Sequence, residues 1–108
     1  MVIIGTDAPS TALDVVGDGI TLENTTNANQ NGIIYKASTP FIHNFNYGDN
    51  GTVTTVGNNT FVGEDAGNLT MGSTATLTYQ ASQNTAIGYS ALSANTTGYR
   101  NTASGYLA

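Results

Sequence analysis

The chain has 108 residues, with two Lys or Arg against seven Asp or Glu, a net charge of −5 and no cysteine. So few cations exclude an electrostatic footprint for nucleic acid or anionic lipid, and the lack of thiols excludes disulfides and thiolate metal sites. Thr, Asn, Ser and Gly supply almost half of the residues and charged groups only 8%, yet 39% are hydrophobic, which is too apolar for a disordered chain.

Helix formers are scarce, whereas Thr, Val, Ile and Tyr favour pleated, half-buried surface and Asn and Gly favour turns. The composition predicts an all-β chain. Val2-Ile3-Ile4 reads as a first short strand, residues 5–10 as a turn around Pro9, and residues 12–16 as a second strand closed by Gly17-Asp18-Gly19. Ile20-Thr21-Leu22-Glu23 alternates apolar and polar, the period of a half-buried strand. After a polar loop over 24–31 come strands at 33–35, 41–45 and 52–56. The turn-forming Gly48-Asp49-Asn50-Gly51 between the last two predicts a hairpin.

From there on the sequence repeats. Asn59-Thr60-Phe61-Val62-Gly63, Asn84-Thr85-Ala86-Ile87-Gly88 and Asn101-Thr102-Ala103-Ser104-Gly105 align without gaps, starting 25 and 17 residues apart. The longer interval carries an insertion over 71–79, and the last repeat breaks off at Ala108, so the repeats are expected to continue in a longer parent protein. We divide the chain at Gly57 into a strand-and-hairpin segment, 1–57, and a repeat segment, 58–108. A repeat this short buries little by itself and must stack on its neighbours or share a core with other chains. The aliphatic fourth position (Val62, Ile87) is expected to point inward, with the following Gly allowing a bend, and Asn at a fixed turn position can tolerate left-handed backbone angles or stack its amide on the Asn of the next repeat.

Ile4-Gly5-Thr6, Pro9, Leu13-Asp14-Val15 and Gly17 together resemble a segment recurrent in bacterial and phage tail-fibre-like proteins, which often end in a self-cleaving chaperone domain. The run Asn84-Thr85-Ala86-Ile87-Gly88-Tyr89-Ser90-Ala91-Leu92 resembles the repeats that follow that segment. It is also similar to the head repeats of trimeric autotransporter adhesins, which form a parallel β-roll shared by three chains. The resemblance implies an elongated homotrimeric fibre, a β-meander followed by β-roll or β-solenoid repeats, that attaches to a surface. The unequal spacing, Tyr89 and Tyr106 after the glycines, and the lack of stalk heptads or a membrane anchor in the sequence favour the tail-fibre type.

His43 is the only histidine. In a trimer it could sit on the axis and offer three ligands to an ion, but a packed histidine is the plainer reading, since no second ligand type lies nearby. No nucleophile motif or acidic partner accompanies it, so no catalytic residue is expected and the chain reads as a non-enzyme without cofactor. Glu64-Asp65 is the only acidic pair and reads as a solvated turn, not a calcium loop. Tyr79, Tyr89, Tyr99 and Tyr106 suit packing, with stacking of sugars as the alternative. Asn-x-Thr matches begin at Asn24, Asn50, Asn58, Asn68 and Asn95, as so much Asn and Thr makes inevitable.

The expected function is therefore that of a structural and adhesive segment on a cell exterior or virion surface. Its partners would be further copies of itself, as trimer or filament, and a surface glycan or other receptor, without membrane insertion. No apolar run approaches the roughly 20 residues that cross a bilayer, and the start shows no secretion signal. The weight of that reading rests on Asn59, Thr60, Gly63, Asn84, Thr85, Ile87, Gly88, Asn101, Thr102 and Gly105. A self-assembling filament, an ice-binding stack and a glycan-cleaving spike are lower alternatives. Unequal coil lengths count against the ice-binding reading.

Overall fold

The computed structural model describes residues 2–4, 13–15 and 17–108. No helix occurs among them. Strands β1 (Val2–Ile4) and β2 (Leu13–Val15) pair in parallel, Val2 opposite Leu13 and Ile4 opposite Val15. Both lie where the sequence predicts strands. The turn expected over 5–10 lies outside the described residues, as do Ala12 and Val16 of the second expected strand.

The remaining strands form one open five-stranded sheet in chain order: β3 (Ile34–Lys36), β4 (Thr39–His43), β5 (Thr60–Val62), β6 (Thr85–Ile87) and β7 (Thr102–Ser104). The pairs β3–β4 and β4–β5 are antiparallel, while β5–β6 and β6–β7 are parallel. Parallel neighbours require the chain to travel out and back between them. Here the repeats do this, and their unequal lengths still deliver Thr60, Thr85 and Thr102 to one register. The longer interval absorbs its extra residues in a run of turns that buries Met71 and Ala75.

Two predicted elements differ. Residues 41–43 do not fold back on 52–56; β4 pairs instead with β3 across Ala37 and Ser38, and with β5 on its other side. The turn sits at Asn50–Val53, where the Asn50 N–H donates to the Val53 carbonyl at 3.1 Å and only Asp49 and Thr54 bridge. Asn50 explains the change: its Oδ1 accepts the N–H groups of Thr52 and Val53, both at 2.9 Å, and turns the chain tightly there. Residues 20–23 make no strand. Ile20 and Leu22 are exposed, and the Glu23 carboxylate is drawn across the following loop to accept from Nδ2 of Asn29 and Asn31.

The core is narrow. Phe45, Phe61 and Met71 are its large members, and Ala66, Ala81, Ala86 and Ala91 fill the rest. Alternation along each three-residue strand puts the third repeat position inward, Phe61 and Ala86 fully buried and Ala103 partly so. The fourth position faces out, correcting the expectation for Val62 and Ile87; Ile87 is 49% exposed. The ladder asparagines already occupy the inward-facing first position, so the parity of the strand leaves the fourth outside.

Candidate functional surface

The repeat asparagines form a ladder. Asn59 donates both Nδ2 hydrogens to carbonyls, Phe45 and Ala81, each at 2.9 Å. Its Oδ1 accepts the Asn84 backbone N–H at 2.9 Å and Asn84 Nδ2 at 3.3 Å. Asn84 repeats the arrangement: Nδ2 also reaches the Gly98 carbonyl at 3.0 Å, and Oδ1 accepts N–H and Nδ2 of Asn101 at 3.0 and 3.1 Å. Asn59 and Asn84 are buried with all four amide capacities used, which removes the penalty of enclosing them. The repeat in the sequence picks out all three positions, but leaves open whether the asparagine serves a turn or a stack.

Gly63 and Gly88 are fixed by this stacking. A Cβ on Gly63 would come within 2.5 Å of the Gly88 carbonyl oxygen, and one on Gly88 within 2.4 Å of that of Gly105. Thr60, Thr85 and Thr102 stand beside the ladder in a single row across the parallel strands.

Further asparagines tie one turn of chain to the next without being apparent in the repeat. Asn50 and Asn68 each accept an N–H two residues on, from Thr52 at 2.9 Å and Thr70 at 3.0 Å, an Asx turn. Each then sends Nδ2 across to carbonyls of the neighbouring turn of chain. Asn50 reaches Gly72 and Ala75, at 3.0 and 2.8 Å; Asn68 reaches Ser93 and Asn95, at 3.1 and 2.8 Å. Their signal in the sequence is the Asn-x-Thr pattern counted as a glycosylation match. A carbohydrate on either Nδ2 would break these bonds. An upstream rung joins Asn44 to Asn24: Asn44 Oδ1 accepts the buried Thr25 N–H at 2.9 Å, and its Nδ2 donates to Asn24 Oδ1 at 2.8 Å. The dipeptide Asn24-Thr25, the same as each repeat's opening, is the clue that could have found it.

The outward face of the sheet carries an aliphatic row beside the row of threonines. Ile34 opposes Ile42, Ile42 opposes Val62, and Val62 opposes Ile87, a row across four strands. Tyr89 and Tyr106 continue beyond it, their rings stacked at 5.5 Å and 13°, and Tyr79 meets Tyr99 edge-on at 4.7 Å. All four tyrosines keep 40% or more of their surface open. They pack on one another and still present free faces.

No family model, curated protein or solved structure matches the chain.

His43 is buried within the chain. Its Nε2 donates to the Ala66 carbonyl and its Nδ1 accepts the Phe45 N–H, both at 3.1 Å, with the ring 5.0 Å from that of Phe61. Both ring nitrogens are thus committed within the chain, which leaves no lone pair for a shared ion and corrects the axial-ligand idea. Burial pulls the imidazole pKa below its ordinary value, partly offset by the bond to Ala66. A cleft of about 500 Å³ lies alongside, lined by Pro40, Asp65, Leu69, Ser90 and Ser93 among others. Among the described residues no three His, Asp or Glu gather where they could hold a metal ion, and Asp65 sits exposed in a turn. What the arrangement offers chemically is contact: a saturated amide spine inside, and an apolar and aromatic face outside.

Proposed function

We propose that this chain is a structural and adhesive segment of an extracellular or virion-surface fibre of the tail-fibre type, a β-solenoid-like stack that works as a homotrimer. It performs no chemistry of its own. The observation that carries this reading is the aliphatic row Ile34, Ile42, Val62 and Ile87 on the outside of a sheet whose own core is mostly alanine. Contiguous exposed apolar surface of this kind marks association sites, and copies related by closed symmetry bury it most simply. The half-open tyrosine pairs supply flat faces for the rings of a surface glycan.

Sedimentation equilibrium tests the proposal. Three chains of 11.1 kDa are expected in one particle, and Ile87→Glu is expected to dissociate it while circular dichroism stays unchanged. A stable wild-type monomer would overturn it. One observation favours a second reading, ice binding: Thr60, Thr85 and Thr102 share a register despite the unequal repeat lengths. Thermal hysteresis that disappears in Thr85→Tyr, with the particle mass unchanged, would select it.

A further inference from the structure

The chain contains two Asn-Gly pairs, Asn31-Gly32 and Asn50-Gly51. Glycine leaves the peptide nitrogen after the asparagine unshielded by a β-carbon, so that nitrogen can reach the amide carbon Cγ. The fold holds the two pairs differently. Asn50 is pinned on both sides: its Oδ1 accepts the N–H groups of Thr52 and Val53, and its Nδ2 donates to the carbonyls of Gly72 and Ala75. The Gly51 N–H is itself committed, donating to Asp49 Oδ1 at 2.8 Å. Asn31 is exposed, and its side chain makes one hydrogen bond among the described residues, from Nδ2 to Glu23 Oε2 at 3.1 Å. The Gly32 N–H makes none among them. Nor can a bulkier residue shield this nitrogen, since Gly32 has φ +69° and a Cβ there would overlap the Glu23 carbonyl oxygen. The local backbone thus keeps the open pair in place.

We propose that Asn31-Gly32 is a self-modification site, at which the asparagine converts in water, without an enzyme, to aspartate and isoaspartate. The Gly32 nitrogen loses its proton to hydroxide and attacks Asn31 Cγ. The Cγ–Nδ2 bond breaks, Nδ2 takes a proton from water and leaves as ammonia, and a five-membered imide closes. Water then opens the ring at either carbonyl, one giving aspartate and the other isoaspartate. Both products lose the amide that donates to Glu23 and carry a carboxylate at residue 31, so an attraction becomes a repulsion between like charges. In isoaspartate the chain runs through Cγ, and the Asn31 carbonyl that accepts the Thr25 hydroxyl at 2.7 Å becomes a free carboxylate off that path. Thr25 is buried, and its N–H donates to Asn44 Oδ1 in the upstream rung. Ageing at residue 31 therefore loosens that rung, while the ladder from Asn59 to Asn101 stays intact.

Incubating the folded 108-residue chain in mildly alkaline water enriched in heavy oxygen, followed by peptide mass mapping, tests this. Heavy oxygen is expected to enter at residue 31. Entry at residue 50 should be slower by at least roughly tenfold, because Asn50 must first give up its hydrogen bonds. In concentrated urea, where neither pair is held, the two should react at similar rates. No conversion at Asn31 in the folded chain, or conversion there no faster than at Asn50, overturns the proposal. Deuterium exchange at the Thr25 amide tests the consequence: it should quicken in the aged wild type and stay unchanged in aged Asn31→Gln, which keeps an amide but cyclises far more slowly. Equal exchange in the two aged proteins would overturn the link to the rung.

Discussion

The amide oxygen of Asn59 accepts two hydrogen bonds from Asn84, from the backbone N–H at 2.9 Å and from Nδ2 at 3.3 Å, while its own Nδ2 holds Phe45 and Ala81. Removing each ladder amide therefore orphans a different number of groups. Asn59→Leu strips partners from two carbonyls and two N–H hydrogens inside the core, and at ~1–3 kcal/mol per orphaned group, partly relieved by relaxation, should cost roughly 3–5 kcal/mol. With Asn84→Leu, Asn95 Nδ2 still serves the Gly98 carbonyl at 3.0 Å and the Asn84 backbone N–H still reaches Asn59. A loss of about 1–3 kcal/mol is expected. Asn101→Leu, at the exposed end, should cost less than ~1 kcal/mol. Urea denaturation of the three variants gives the order, and equal losses would remove the ladder from the account of stability.

Phe61 and Gly67 are one solution to a packing problem that Ala86 and Leu92 solve the other way round. A Cβ on Gly67 would lie 2.8 Å from the Phe61 ring. In the next repeat the inward residue is only alanine, and the position equivalent to Gly67 carries a leucine that packs on the core. Gly67→Ala should cost about 2–4 kcal/mol, combining overpacking with a left-handed backbone angle of +64°. Phe61→Ala should cost about 3–5 kcal/mol through its cavity. The double change Phe61→Ala with Gly67→Leu copies the second repeat and is expected to fall short of the summed single losses by at least ~1 kcal/mol. Strict additivity would show that the two sites do not share a volume.

The β class and the repeat positions Asn59, Asn84 and Asn101 were legible because composition and self-similarity survive without knowledge of contacts. The inward side was not. In strands of three residues, alternation has too few positions to fix its own phase, and asparagine reads as a turn former even where, as at Asn84, it is wholly buried. The misplaced hairpin has a related cause. Gly48 to Gly51 is a strong local turn signal, but Asn50 moves the turn by accepting the N–H groups of Thr52 and Val53, and it is held in place by Gly72 and Ala75, more than 20 residues away. Asn44 and Asn68 escaped notice for the same reason: their partners are distant in sequence.

The residue before each ladder asparagine is left-handed whatever its type: Asn58 at φ +59°, Gln83 at +60° and Arg100 at +56°. An L-residue other than Gly pays roughly 1–2 kcal/mol there, and asparagine least. Gln83 and Arg100 are exposed, and both variants lose the same surface hydrogen bond, from Arg100 Nε to Gln83 Oε1 at 3.0 Å, so the difference between them reports the backbone effect. Gln83→Asn, which copies Asn58, should raise stability by about 0.5 kcal/mol, and Gln83→Val should lower it by roughly 1 kcal/mol. Thermal melts of the two variants at one concentration decide it. A melting point raised by valine would contradict the conformational argument.

His43 makes stability depend on pH in a determinate direction. Its folded pKa lies below the ordinary 6.5 because burial disfavours the cation, and protonated Nδ1 would face the Phe45 N–H that it now accepts. Between the unfolded and folded values the unfolded chain binds more protons, so stability rises with pH across that window. The contribution is complete above 6.5 and is lost as the pH falls from there through the folded value. No other histidine exists to blur the window. Melting temperatures followed from about pH 8 down to 5 should therefore fall in the wild type. In His43→Asn, whose Oδ1 can accept the same Phe45 N–H but does not titrate, the curve should be nearly level. A wild-type melting temperature that climbs on acidification, or an equal fall in both proteins, would mean that His43 is not the group responsible.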